Sequence, residues 1–262
     1  MTNPIELVRS LARGGATVAT TLSLWACLDA QTALSGEAQH DRLRHDWVHR
    51  WARALLRILA VRLEAEGPHV GAGGAYPGRA ANGASGRLFV MNHRSAIDIL
   101  VTFAVTEAAL VSRHDLASWP VIGSGARRLG TLFVDRESMR SGAAVLELIT
   151  RGLAQGRGVA IYPEGTAYPG DEVHAFKPGS FRAAKRAGAE IIPLGIAYDD
   201  EAAYYGDESF GAHVARLAAL PELRVALVAG EPLQVGERSP LEVAEAARVV
   251  VQSLVERARR RL

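Results

Sequence analysis

The sequence predicts an α/β fold, a mixed, largely parallel sheet flanked by helices and preceded by an N-terminal two-helix membrane-contact element. Three observations predict it. From residue 88 onward, short apolar runs alternate with helical segments, the pattern of strands covered by helices. A chain of 262 residues is long enough to bury one substantial core. Ahead of the first apolar run stand two stretches with helical character, one uncharged and one amphipathic.

The first stretch runs from Gly14 to Leu28, behind Arg9 and Arg13. Two readings fit it, a signal-peptide core or a helix at a membrane surface. It falls short of the about 20 apolar residues needed to span a bilayer, and Asp29 interrupts it. A helix lying in or dipping into the membrane surface is the expectation. From Asp41 to Arg62, Leu43, Trp47, Trp51, Ala54, Leu55 and Ile58 recur at helical spacing, beside a stripe of Arg50, Arg53 and Arg57. Tryptophans next to arginines suit an anionic lipid interface. The same pattern equally suits a helix packed on the core with solvated arginines. Together the two stretches define residues 1–63 as the membrane-contact element and residues 64–262 as the α/β domain. Gly67 to Gly86, rich in Gly, Ala and Pro without apolar periodicity, reads as a flexible surface connection.

Expected strands are Leu88–Met91, Leu110–Ser112, Thr131–Val134, Val159–Tyr162, Ile191–Tyr198 and Arg224–Val228. Expected helices are Ala96–Glu107, Ser138–Gln155, Ser180–Ala187 and Leu241–Leu262. Composition narrows the function classes. A formal net charge of +2 argues against a nucleic-acid partner, and no zinc-type Cys/His spacing is present. Cys27 is the single cysteine, so no intramolecular disulfide forms and a reducing compartment is expected. Nearly all the positive charge is arginine, the lysines being Lys177 and Lys185.

The chemistry-bearing residues sit just after expected strands. In Asn92-His93-Arg94-Ser95-Ala96-Ile97-Asp98, Asp98 falls in the first turn of a helix, from which it can reach back to His93. A carboxylate on one ring nitrogen fixes the imidazole tautomer and leaves the other nitrogen to take a proton. Ser95-x-x-Asp98 also reads as a capping-box variant, with His93 merely bonding the turn. Gly130-Thr131-Leu132-Phe133-Val134-Asp135-Arg136 ends in an arginine suited to a bidentate anion contact, or in a plain Asp–Arg turn. Tyr162-Pro163-Glu164-Gly165-Thr166 offers an acceptor, a donor and a glycine that admits a ligand to the backbone. Ile191-Ile192-Pro193-Leu194-Gly195-Ile196-Ala197-Tyr198 reads by itself as a core strand with an edge proline.

These four blocks, in this order across Asn92–Tyr198, resemble the glycerophospholipid acyltransferase family, the PlsC-like 1-acyl-sn-glycerol-3-phosphate acyltransferases. The resemblance extends across residues 40–230 and includes Trp119-Pro120-Val121-Ile122-Gly123, where the family often has a Pro-x-x-Gly element. It implies His93 as general base and Asp98 as its orienting partner, with Arg136, Glu164, Gly165 and Thr166 contacting a lysolipid acceptor. It implies acyl-CoA or acyl-ACP as co-substrate, no metal, no bound cofactor, and a peripheral or monotopic place on the cytoplasmic face of the inner membrane. One departure bears on the acceptor. Where the family often has an arginine after Glu-Gly-Thr, this chain has Ala167. Arg136 or Lys177, in Phe176-Lys177-Pro178-Gly179, can supply the missing charge, or the acceptor lacks a phosphomonoester. Tyr204 to His213 resembles a block in some relatives, including acyltransferases of lyso-ornithine lipids. Lysophosphatidate is thus the first acceptor to test, another lysolipid the second. A non-catalytic lipid-binding protein is the alternative from a different class.

Overall fold

The computed structural model describes residues 3–81, 83–113, 131–134 and 142–262. Helix α1 (Pro4–Ala33) starts where Asn3 accepts the Ile5 N–H and Pro4 supplies a preset first turn. Helix α2 (His40–Ile58) leads into strand β1 (Val61–Glu66). The chain continues through β2 (Arg87–Met91), α3 (Ile97–Val105), β3 (Ala108–Arg113), β4 (Leu132–Val134), α4 (Ala143–Ala154) and β5 (Gly158–Ile161). It ends with α5 (Gly179–Ala187), β6 (Glu190–Tyr198), α6 (Phe210–Ala219), β7 (Leu223–Ala229) and α7 (Pro240–Arg259). Among the described residues, seven strands form one sheet in the order β1-β7-β6-β2-β5-β3-β4, parallel except for the β6–β7 pair.

The expected α/β class with a mixed, largely parallel sheet holds. Strand β2 shows why it was legible. Phe89 and Met91 enter the cluster that α2 and α3 cover, while Leu88 and Val90 enter the cluster on the α4, α5 and α7 side. A strand buried on both faces reads as an unbroken apolar run. Each of the six expected strands coincides with an observed one to within two residues at either end.

Three expectations need correction. The amphipathic helix stops at Ile58, and Val61–Glu66 pairs with β7 in parallel, so the 63/64 boundary falls inside a strand. The reason is at Ala60, whose φ of 53° breaks the helical path before the chain enters the sheet. The second correction concerns α2 itself. Val48, Ala52, Leu55 and Leu56 are its buried residues, packed in the main core with α3, so the core-packed reading describes this face. Its tryptophans serve α1, with Trp47 Nε1 donating to Gln31 Oε1 and Trp51 Nε1 donating to Thr21 Oγ1.

Third, residues 67–81 and 83–86 are a packed connection. Val70, Tyr76 and Ala80 are buried, Tyr76 N–H donates to the Val105 carbonyl, and Arg87 N–H donates to that of Gly78. A Cβ on Gly78 would lie 2.0 Å from the Glu107 carbonyl oxygen, so this glycine admits a close backbone crossing. In α1, the arginines also have a structural task. Arg9 donates to the Ala219 carbonyl, and Arg13 donates to those of Ala218, Leu220 and Pro221, binding the negative end of α6. The opposite side of α1 leaves Ile5, Leu7, Val8, Leu11, Val18 and Leu22 exposed. Among the described residues, no helix is long and apolar enough to cross a membrane.

Candidate active site

Strand β2 delivers the first motif to the sheet's edge. Asn92 is buried directly after it and continues the pairing with β6, donating through Nδ2 to the Ile196 carbonyl and accepting the Ile196 N–H on Oδ1. His93 then turns out of the sheet, about a quarter of its side chain exposed (24%) while Asp98 is fully buried. The imidazole Nδ1 lies 2.7 Å from Asp98 Oδ2. Since an ionised carboxylate only accepts, Nδ1 carries a proton, and in the neutral ring that leaves the lone pair on Nε2. Among the described residues no hydrogen-bond partner meets Nε2.

Asp98 Oδ2 also accepts the N–H of Arg94 at 2.6 Å and of Ser95 at 2.9 Å, and Ser95 Oγ accepts the Ile97 N–H. The carboxylate that partners the histidine thus also holds the turn that leads into α3. Its other oxygen accepts the hydroxyl of Tyr198, from the end of β6. Tyr162 stacks on the His93 ring, centroids 4.2 Å apart at 14°, with its hydroxyl 2.9 Å from Thr102 Oγ1. Burial first, and the Asp98 charge second, push both phenols well above their ordinary pKa and keep them neutral.

Glu164, expected to face the acceptor, is buried and committed to the protein. It accepts the His93 N–H at 2.7 Å, the His174 N–H at 3.0 Å, and the Arg94 guanidinium at 2.9 Å. Arg94 is buried too. It donates further to the carbonyls of His93, Gly170 and Glu172, lacing the His93 loop to the 163–174 segment. Tyr168 N–H adds a bond to the His93 carbonyl, and its ring stacks on His174. Arg94 and Tyr198 lay in quoted motifs without a role assigned to them. Their buried, fixed position is a tertiary property that motif spacing does not carry.

Gly165 and Thr166 are exposed. Gly165 has φ of +82°, and a Cβ there would lie 2.3 Å from Lys177 Nζ. Lys177 is exposed, anchored through its N–H to the Pro163 carbonyl, and its ammonium has no partner among the described residues. Arg136 lies outside the described residues, as do Asp135 and Trp119–Gly123.

A neutral imidazole with an outward lone pair, locked by a buried carboxylate, can take a proton from a hydroxyl. An exposed ammonium over a glycine can bind an anion. With that geometry in place, comparison with known proteins is decisive: residues 78–197 match the family model described as Acyltransferase. These residues are an acyltransferase-family domain. A 1-acyl-sn-glycerol-3-phosphate acyltransferase of Neisseria gonorrhoeae is 31% identical over 117 residues, 45% of this chain and 46% of that protein. The lyso-ornithine lipid O-acyltransferase of Pseudomonas aeruginosa is 32% identical over 136 residues, 50% and 52% of the two chains. The chain thus spans about half the length of the curated relatives it matches. The likeness of fold reaches beyond the matched segment. The crystal structure of the 1-acyl-sn-glycerophosphate acyltransferase PlsC from Thermotoga maritima superposes with a TM-score of 0.70 at 19% identity, covering 96% of this chain and 95% of that one.

Proposed function

We propose that this acyltransferase-family chain transfers a fatty acyl group from a thioester, acyl-CoA or acyl-ACP, to the free hydroxyl of a lysolipid. The observation that carries the reading is the His93–Asp98 bond, with Nε2 without a partner among the described residues. In the reaction, Nε2 takes the acceptor's hydroxyl proton as the oxygen attacks the thioester carbonyl. Asp98 stabilises the resulting imidazolium. The tetrahedral intermediate collapses with cleavage of the C–S bond, and the proton passes from His93 to the departing thiolate. No acyl-enzyme is needed, because a thiolate already leaves readily.

The first acceptor is 1-acyl-sn-glycerol-3-phosphate, its phosphate met by Lys177 and Arg136, with Gly165 and Thr166 at the backbone and Glu164 fixing the loop from beneath. Ala167 in place of the family's frequent arginine favours a second acceptor, a lyso-ornithine lipid with no phosphomonoester. The 32% identity to the Pseudomonas aeruginosa enzyme is in keeping with it. The deciding assay offers purified protein a panel of lysolipids, with and without a phosphomonoester, and both thioester donors. His93→Ala is expected to lose about 10²–10⁴-fold in rate. Full activity in that variant would remove His93 from the chemistry. Failure of wild type to acylate any acceptor would favour the lipid-binding alternative.

For localisation, the exposed apolar row on α1 supports peripheral or monotopic membrane attachment, which we place at the cytoplasmic face of the inner membrane, where the thioester donors are made. Deleting residues 1–63 is a poor test because it cuts β1. Leu11→Asp with Val18→Asp changes only exposed positions. Flotation with anionic vesicles should show most binding lost at an unchanged melting temperature; wild-type flotation would refute attachment through α1.

A further inference from the structure

His213 is fully buried on α6 and takes no part in the mechanism above, yet it touches the start of the helix that carries Asp98. Its Nε2 lies 3.2 Å from the Ala96 backbone nitrogen and 3.3 Å from Ser95 Oγ. A backbone N–H only donates, so Nε2 must present a lone pair. Its Nδ1 lies 2.9 Å from Glu208 Oε1, which takes the remaining ring proton. Arg216 Nη2 is 3.0 Å from the same nitrogen but is satisfied elsewhere, by Glu208 and by the Tyr204 carbonyl. The neutral tautomer with its proton on Nδ1 fits the Ala96, Ser95 and Glu208 contacts, and Arg216 then donates to Glu208 and the Tyr204 carbonyl rather than to the ring.

The surroundings hold that state. Tyr205 packs its ring 4.5 Å from the imidazole, and its N–H donates to the Arg94 carbonyl, inside the His93–Asp98 loop. The charged groups facing His213 are Glu208 and Arg216 on its own segment and Asp98 across the α3 start. Burial, the largest influence, and Arg216 keep its pKa below the ordinary imidazole value, against the opposing pull of Glu208. Glu208 is held at about 2, chiefly by its bond to Arg216, so the Nδ1 partner stays an acceptor.

We propose that His213 is a positioning residue for the acyl transfer: its Nε2 lone pair holds Ser95 and Ala96, and thereby sets Asp98 under His93. Protonation would point an N–H at the Ala96 N–H and unseat that turn. The 163–174 segment and the 204–213 segment thus grip the His93 loop together, through Arg94 and through His213. The inference rests on His93 as the base.

The test measures kcat, KM and pH profiles of folded variants alongside His93→Ala. His213→Leu should lose about tenfold in kcat with KM nearly unchanged, the scale of one buried hydrogen bond to a working turn. His213→Gln can present its side-chain oxygen near the Nε2 position and should recover most of that loss. It also removes a proton site. As pH falls through the lowered His213 pKa, wild-type kcat should drop more steeply than that of His213→Gln, which has no proton site there. Glu208→Ala frees the other tautomer and should lower kcat several-fold; as its side chain keeps 27% of its surface in solvent, while His213 has none, it decides the matter if His213→Leu does not fold. Wild-type kcat in folded His213→Leu, or in Glu208→Ala, would overturn the proposal, as would a glutamine variant no better than leucine. Those failures leave His93 as base intact, whereas an active His93→Ala would sink the base itself.

Discussion

Asp98 and Lys177 are both charged and both tied closely to the Pro163–Gly165 turn or to the loop it supports, yet they are treated in opposite ways. The Asp98 carboxylate is buried and accepts four hydrogen bonds, from His93, Arg94, Ser95 and Tyr198. The Lys177 ammonium is exposed and accepts no fixed place among the described residues. A buried charge must be paired and hydrogen-bonded or it is too costly to keep. An exposed one can stay free until a ligand arrives. The fold commits its bonds to orienting the imidazole and leaves an exposed ammonium at the neighbouring turn, open to the anionic headgroup proposed above.

The largest break in that comparison comes from the closed side. Glu164→Gln would leave Arg94 a buried cation without its counter-charge, and would set an amide N–H₂ against either the His93 N–H or the His174 N–H. Removing one partner of a buried ion pair costs about 3–5 kcal/mol. Urea unfolding should show a loss on that scale, with activity falling at the same time because the His93 loop is no longer laced to residues 163–174. A variant less than about 1 kcal/mol weaker, with normal activity, would mean that the Arg94–Glu164 pair does not hold the loop.

The same contrast separates what the sequence revealed from what it hid. Strands buried on both faces were legible as apolar runs, and His93–Asp98 was legible because five positions of spacing bring a strand end to the first turn of the next helix. Strand β1 was hidden. Its alternating Val61, Leu63 and Ala65 follow directly on a helical pattern, and the break lies in one unusual φ at Ala60. Glycines at 67–86 suggested slack, but Gly78 and Gly86 are there because backbone passes where a Cβ would stand. Glu164 looked like a ligand group because its motif does not reveal that Arg94 and two backbone N–H groups already occupy it. Partners such as Arg94 with Glu164, Tyr198 with Asp98, and His213 with Ala96 meet only after strands β5 and β6 and helix α6 are in place. No local period encodes those meetings.

The smaller test comes from the open side. Lys177→Ala removes an exposed ammonium with no partner among the described residues, so stability should change by less than about 0.5 kcal/mol. Its effect belongs to the acceptor. One lost charge-assisted contact to an anionic headgroup is worth about 1.5–3 kcal/mol, so KM for such a lysolipid should rise about tenfold or more while kcat holds. An uncharged monoacyl acceptor should feel nothing, and that asymmetry is the critical reading. Equal losses for charged and uncharged acceptors would show Lys177 acting through Gly165 and the turn beneath it rather than on the ligand's charge. A phosphomonoester acceptor losing more than a carboxylate one would assign the headgroup as well, because a dianion gains more than a monoanion from the same ammonium.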